Sequence, residues 1–278
     1  MPHKKPLVSV ILPTYNRAWI LEDAVKSVLA QDFPNIELII IDDGSEDETA
    51  DILDFYKNSA TIIRQENKGV STARNTGIKS CNGSLIALLD SDDAWDKKKI
   101  SCQVSFFNQN TDAMICQTEE IWIRNGRRVN PKKKHKKLSG MIFEPSLHLC
   151  LVSPSAVMMR RELLEHKGLF NESFTVCEDY DLWLRISATE PVYLIDKPLT
   201  IKRGGHRDQL SRFHSQDKFR IRSLLSLIQS NQLTKNQLNR AKQVLKEKCS
   251  LYGNGCKKRG RLKEAEHYLN LKNIINNL

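Results

Sequence analysis

One pattern constrains this chain more than any other: short apolar, β-branched runs that stop abruptly in polar or acidic clusters. Residues 8–12 run into Pro13-Thr14-Tyr15-Asn16, residues 36–41 into Asp42-Asp43-Gly44-Ser45, and residues 85–89 into Asp90-Ser91-Asp92-Asp93. Strands that read as near-continuous apolar runs are buried on both faces. Between them lie amphipathic stretches. Residues 18–31 place apolar side chains at 20, 21, 24, 25, 28 and 29, which is helical spacing. Residues 46–56, 71–79 and 97–108 are also predicted as helices, and Ser45 with Glu48 makes a capping-box signal for the first of these. Residues 61–64 add a short strand. This alternation predicts an α/β fold with a mostly parallel sheet sandwiched by helices. In such sheets ligands sit beyond the carboxyl ends of the strands. All three clusters fall at those ends, which points to one shared site.

The second half is less regular. Strands are predicted at 114–123, 153–159 and 192–195, a helix at 178–188, a basic loop over 124–137 and a mobile loop at Arg203-Gly204-Gly205-His206. Everything after residue 216 reads as helical, and 242–271 resembles a single tetratricopeptide-like helix-turn-helix, which cannot bury its own face alone. Charge divides in the same region. Residues 1–200 hold 25 Lys/Arg and 28 Asp/Glu, whereas residues 201–278 hold 18 and 5. Two units are therefore expected, 1–215 and a basic helical extension 216–278. Such an extension suits an anionic membrane face or an acidic partner, or is simply a solvated basic face. No RNA-binding aromatic motif accompanies it, so nucleic acid is not expected.

The seven cysteines are scattered without a C-x-x-C pair, which predicts free thiols in a reducing cytosol rather than zinc or disulfides. No apolar run approaches the ~20 residues of a bilayer-crossing helix. Residues 1–6 lack the apolar stretch of a signal peptide. A cytoplasmic protein, with peripheral attachment at the inner face of a membrane, is the expectation.

The clusters suggest particular chemistry. Three carboxylates at the end of one strand concentrate negative charge, which suits a hard cation such as Mg²⁺ or Mn²⁺ shared with a diphosphate. Asp92, Asp93 and Asp96 equally suit the N-terminus of the helix that follows. An aspartate of the Asp42-Asp43 pair can accept a hydrogen bond from a pyrimidine N–H, while Ser45 or Asp47 caps the next helix. Tyr15 offers a ring face for base stacking or packs over its own strand end. Asn67, Gly69 and Arg74 precede and enter a helix where amides and a guanidinium meet phosphate, or form an ordinary surface. Glu178-Asp179 opens a helix, either capping it or, with a raised pKa, taking a proton from a hydroxyl.

In order and spacing, residues 8–17 (Val-Ser-Val-Ile-Leu-Pro-Thr-Tyr-Asn-Arg), Asp42-Asp43-Gly44-Ser45, Asn67 with Gly69 and Ala73-Arg74-Asn75, Leu89-Asp90-Ser91-Asp92-Asp93 and Glu178-Asp179 resemble the family-2 glycosyltransferases of the GT-A fold. The likeness spans residues 6–205. It implies a Rossmann-like mixed, mostly parallel sheet, and inverting transfer from a nucleotide-diphosphate sugar, a UDP-sugar first of all. Pro13 and Tyr15 would line the base pocket and Asp42 would bond the base. Asn67 and Arg74 would contact the nucleotide, and Asp90 the ribose or sugar side. Asp92 would ligate Mn²⁺ or Mg²⁺, with His206 as a further ligand on a closing loop. Asp179 would be the base, with Glu178 as its neighbour. The acceptor would be a sugar, lipid-linked or protein hydroxyl, as in bacterial surface polysaccharide or glycoconjugate synthesis. Gln209-Leu210-Ser211-Arg212-Phe213 is similar to the Q-x-x-R-W signature of processive members, with Phe for Trp. Since those members carry membrane helices, transfer of one or a few sugars is expected here.

Two other functions share some of these features. A sugar-1-phosphate nucleotidyltransferase would need a Gly-rich basic loop after the first strand, but Pro13-Thr14-Tyr15-Asn16-Arg17 contains no glycine. A non-catalytic nucleotide-sugar or anion-binding protein would keep the site without turnover.

Overall fold

The computed structural model describes residues 5–206, 209, 213 and 215–275. The chain runs β1 (Val8–Thr14), α1 (Leu21–Leu29), β2 (Ile36–Asp42), α2 (Thr49–Asp54), β3 (Thr61–Arg64), α3 (Val70–Ser80), β4 (Leu85–Leu88), β5 (Ala94–Trp95) and α4 (Lys99–Gln109). It continues through β6 (Ile115–Arg124), β7 (Arg127–Val129), α5 (Phe143–Ser146), β8 (Val157–Arg160), α6 (Arg161–Lys167), α7 (Glu178–Ser187) and β9 (Val192–Gly204), and ends in α8 (Gln216–Gln229), α9 (Lys235–Lys258) and α10 (Leu262–Ile274).

The strands form one mixed sheet in the order β3-β2-β1-β4-β8-β6-β9-β5, with β7 hairpinned onto β6. The first four positions are parallel. β8 then runs antiparallel to β4 and β6, while β6 and β9 are parallel. The register pairs Thr14 with Asp42 and Ile11 with Leu88, so the carboxyl ends of β1, β2 and β4 meet at one edge.

Side chains of a strand alternate between faces, and β1 shows why its apolar run is continuous. Val8, Val10 and Leu12 point into a core built with α1 and α4, whereas Ile11 joins Ile39, Ile41, Ala73 and Trp183 in a second core on the other face. α1 buries Leu21, Ala24, Val25 and Val28 as its spacing predicts. A third apolar cluster joins α5 and α7, through Phe143, Leu147, Tyr180 and Leu184, to Leu224, Val244 and Tyr252 of the C-terminal helices. The helix-turn-helix pattern is realised in α9 and α10, with Tyr252 and Tyr268 edge to face at 4.7 Å. These helices complete the apolar face of α7, the element that carries Glu178 and Asp179.

The structure departs from the sequence reading in several places, among them the unpredicted short strands β5 and β7 and the start of β8 at Val157 rather than residue 153. The Ser45–Glu48 capping box does not form: α2 begins at Thr49 without a side-chain cap, and Ser45 Oγ instead accepts the Asn16 amide at 3.0 Å. A capping box does form at Thr234 and Gln237, heading α9. β9 extends to Gly204, so Arg203 and Gly204 belong to a strand rather than to a loop. Its pairing with β6 shifts register around Glu119, opposite Pro198, whose missing N–H cannot continue a ladder. α5 and α6 lie in stretches with no predicted helix. The Q-x-x-R-F stretch falls largely outside the described residues. Among the described residues no helix is long and apolar enough to cross a membrane.

Candidate active site

The carboxyl ends of β1, β2 and β4 open into a cavity of about 1030 Å³. Nine of the ten residues singled out from sequence line it: Pro13, Tyr15, Asn67, Arg74, Asp90, Asp92, Glu178, Asp179 and His206. Asp42 does not. It is buried beside the cavity, and its Oδ1 accepts the Ser45 amide at 3.0 Å. Its neighbour Asp43 takes the lining position. A strand alternates, so of two adjacent aspartates only one faces a given side.

Asp43 is buried and organises the loop that carries Asn67. Its Oδ1 accepts the Lys68 amide at 3.0 Å and the Gln65 side-chain amide at 2.7 Å, and its Oδ2 accepts the Gly69 amide at 2.8 Å. Gly44, at φ 77°, lets the two loops approach: a Cβ there would lie 2.8 Å from the Asn67 nitrogen. The β1 loop is tied to the same segment. Asn16 Oδ1 accepts the Glu46 amide at 2.8 Å, and Thr49 Oγ1 accepts the Arg17 amide at 2.9 Å. Tyr15 stays 40% exposed at the mouth, leaving its ring free to stack on a planar ligand.

Arg74 does something the sequence did not suggest. Its guanidinium bridges two carboxylates, donating to Glu178 Oε1 at 2.6 Å and to Asp90 Oδ1 at 2.7 Å, while resting 5.1 Å above the Phe170 ring. The bridge uses two of the five guanidinium N–H donors, and Nε has no hydrogen-bond partner. Burial by itself would raise Asp90, but Arg74 and Lys202 outweigh it and hold the carboxyl below its ordinary range. Burial pushes Glu178 up to about 7, with the Asp179 charge adding to the push and Arg74 opposing it.

Asp92 and His206 meet directly, Oδ2 to Nε2 at 2.7 Å, with the Trp19 ring edge-on to the imidazole at 5.5 Å. The Asp92 carboxylate at the cavity wall suits Mn²⁺ or Mg²⁺, while the imidazole nitrogen beside it is a softer donor that favours Mn²⁺ over Mg²⁺. Among the described residues no three His, Cys, Asp or Glu side chains group closely enough to hold an ion by themselves. The donor set thus fits an ion completed by the oxygens of a ligand, not a closed protein cage.

Asp93, third of the acidic run, is structural. It is buried, its Oδ2 accepts from Ser155 Oγ at 2.6 Å and its Oδ1 accepts the Arg203 amide at 2.8 Å, pinning β9 to the β4 end. Burial raises its carboxyl, Lys202 opposes this, and the charges of Asp92 and Asp90 raise it further.

Asp179 heads α7, after Cys177 in the left-handed region at φ 61°. One carboxylate oxygen accepts the Tyr180 amide at 2.7 Å and the other receives a long contact from the Cys150 thiol at 3.5 Å. The second oxygen therefore remains open to a stronger donor from the cavity.

Two charged elements of the cavity escaped the sequence reading. Lys202 donates to Ser153 Oγ at 2.9 Å, and its ammonium is raised because the attraction of Asp93, Glu120, Asp90 and Asp92 outweighs burial. Glu120 and Lys137 form a buried ion pair at 3.1 Å. Burial would raise Glu120, but Lys137 and Lys202 bring it down to about 2. No local motif marks these residues: the pairing of β6 with β9 brings Lys202 near Glu120, and Lys137 reaches Glu120 from the segment between β7 and α5.

The match to the family model for glycosyl transferase family 2 covers residues 9–168. An uncharacterized glycosyltransferase of Rickettsia prowazekii (strain Madrid E) is 34% identical over 211 residues, covering 73% of this chain and 65% of that protein. The UDP-Glc:alpha-D-GlcNAc-diphosphoundecaprenol beta-1,3-glucosyltransferase of Escherichia coli is 35% identical over 185 residues, covering 65% of this chain and 69% of that one. The chain spans between 30% and 65% of the length of its Rickettsia relatives. Staphylococcus aureus TarS 1-349 in complex with UDP-GlcNAc superposes with a TM-score of 0.76 at 21% identity, over 95% of this chain and 79% of that one. The mannosyltransferase PcManGT from Pyrobaculum calidifontis, in complex with GDP-Man and Mn2+, gives a TM-score of 0.62 at 17% identity, over 99% and 85%. These structures share the GT-A fold of the sheet described above. With the family model matched over more than half of its length, the chain belongs to glycosyl transferase family 2.

Proposed function

We propose that this chain is an inverting glycosyltransferase that moves a sugar from a nucleotide-diphosphate donor, a UDP-sugar first of all, to an acceptor hydroxyl in the synthesis of a bacterial surface polysaccharide or glycoconjugate. One observation carries the reading: the Asp92–His206 pair and the Glu178–Asp179 pair open into the same cavity at the carboxyl ends of the parallel strands. The relative that acts on a diphosphoundecaprenol-linked sugar and the TarS complex with UDP-GlcNAc agree with this donor and acceptor chemistry.

Tyr15 stacks on the base, and the Asn67 loop, held by Asp43, closes on the nucleotide. Asp92 and His206 would hold a divalent ion, whose contribution when bound would be charge neutralisation at the departing diphosphate. Asp179 accepts the proton of the acceptor hydroxyl as that oxygen attacks the anomeric carbon from the face opposite the diphosphate. A single displacement of this kind inverts the centre. Arg74 is a positioning residue, setting Glu178, and through it the first turn of α7, relative to Asp90. The basic helices α8–α10 suit peripheral contact with an anionic membrane.

The test is incubation with a panel of nucleotide sugars and Mn²⁺. Slow release of one nucleoside diphosphate, lost in Asp92→Ala, supports the proposal. A well-folded protein that neither binds nor hydrolyses any nucleotide sugar overturns it.

A further inference from the structure

A second cavity of about 600 Å³ adjoins the first, sharing Lys134, Leu149, Leu151 and Arg220 with it. Its charged lining is one-sided. Lys133, Lys134, Lys136, Arg220 and Lys248 face a single carboxylate, Asp217. That carboxylate is already shared, at 3.2 Å from Arg220 and 3.8 Å from Lys248. Lys133, Lys134 and Lys136 are exposed, and no ion pair engages them among the described residues. Arg220 is held in place by Gln216 Oε1 at 3.1 Å and by the Tyr180 ring at 5.9 Å, while its Nε has no hydrogen-bond partner. Apolar residues complete the lining: Leu138 and the two shared leucines are buried or half-buried, and Pro145 and Leu251 are exposed.

We infer that this second cavity is the acceptor's anion subsite, seating the phosphate of a phosphate-bearing acceptor whose hydroxyl reaches Asp179 through the shared neck. Several convergent cations left uncompensated by carboxylates match a group that carries more than one negative charge and several acceptor oxygens. Three separate parts of the chain supply them: the 133–136 segment, α8 and α9. This gives the basic C-terminal helices a role in choosing the acceptor. The orientation toward Asp179 rests on the glycosyltransferase reading; the anion site does not.

The probe is inorganic pyrophosphate, titrated calorimetrically into the full chain in EDTA. The first cavity carries Arg74 and Lys202 as well as carboxylates, so the site is assigned by variants of Lys133 and Lys136, which line the second cavity alone. One site per chain is expected, weakened at least tenfold in K133E/K136E and unchanged within twofold in K57E/K79E, which alters net charge equally at exposed lysines elsewhere. No binding, or equal losses in the two double variants, overturns the inference. A decyl-diphosphate-linked sugar and a glycerol phosphate oligomer then compete with pyrophosphate, and whichever displaces it identifies a lipid-borne or a polymer-borne phosphate. Displacement by neither, or equal displacement by a uronic acid oligomer of the same charge, overturns it. If pyrophosphate binds as described but no nucleotide sugar is ever turned over, the subsite stands and the glycosyltransferase reading falls.

Discussion

Replacing Arg74 with Met removes the cation that joins Asp90 to Glu178 while keeping a side chain of similar length. The Arg74 side chain is 3% exposed, that of Glu178 6% and that of Asp90 26%. Removing one partner of a buried pair costs about 3–5 kcal/mol. The Asp90 arm is partly wet and contributes less, so a loss of about 3 kcal/mol at pH 8.5 is expected. The loss depends on pH. Glu178 titrates at about 7 in the folded protein against an ordinary value of 4.5. With a raised carboxyl, the stability it contributes is full below the unfolded value and fades as pH rises through about 7. Without Arg74 the carboxyl moves higher still, and the variant keeps a proton that the wild type has released. From pH 7 upward the gap between the two proteins therefore widens by up to about 1.4 kcal/mol per pH unit. Urea unfolding at pH 5.5, 7.0 and 8.5, followed by far-UV circular dichroism, measures it. A loss below about 1 kcal/mol at pH 8.5, or the same loss at pH 5.5 and 8.5, would refute the bridge as an energetic element. Adding Glu178→Gln to the variant should flatten the pH dependence.

Asp179→Asn should preserve donor affinity while transfer falls about 10²–10⁴-fold, the usual worth of a general base; equal losses in binding and turnover would remove Asp179 from that role. Gly77→Ala, which in an exposed helix gains about 1 kcal/mol, should instead cost about 1–3 kcal/mol by overpacking. The added Cβ would lie 2.5 Å from both Ile11 and Ile41, where α3 crosses the sheet. A thermal melt equal to or above that of the wild type would contradict this. His206→Ala should raise the Mn²⁺ concentration needed for half-maximal donor hydrolysis at least tenfold, and no change would take the imidazole out of the metal site.

Much of this site is legible in the sequence because strand ends are local. An apolar β-branched run that stops at a carboxylate marks both the strand and the edge it reaches, so Asp90 and Asp92 could be placed without coordinates. Choosing between Asp42 and Asp43 was beyond that reach, since both follow the same run and only the pleat decides which one faces the cavity. A helix N-terminal region and a guanidinium together favour anions, which is what marks Arg74 in the sequence. Its bridge to Asp90 and Glu178 is not legible there, since they lie 16 and 104 residues away and nothing local links the second to α3. Lys202 and Glu120 owe their proximity to the pairing of β6 with β9, whose register shifts past Pro198, and Lys137 joins Glu120 from outside both strands. The C-terminal segment read correctly as helical, but its packing on α5 and α7 depends on apolar faces that pattern alone does not pair.

Titration of Mn²⁺ into the full chain with and without a nucleoside diphosphate, read by electron paramagnetic resonance, goes straight to the shared hollow at the strand ends. One ion per chain should bind, at least tenfold more tightly when UDP is present, with that gain lost in Asp92→Asn and kept in Asp96→Asn, whose carboxylate only caps the Lys98 amide. Mn²⁺ binding that ignores the nucleotide, or that survives Asp92→Asn intact, would contradict it.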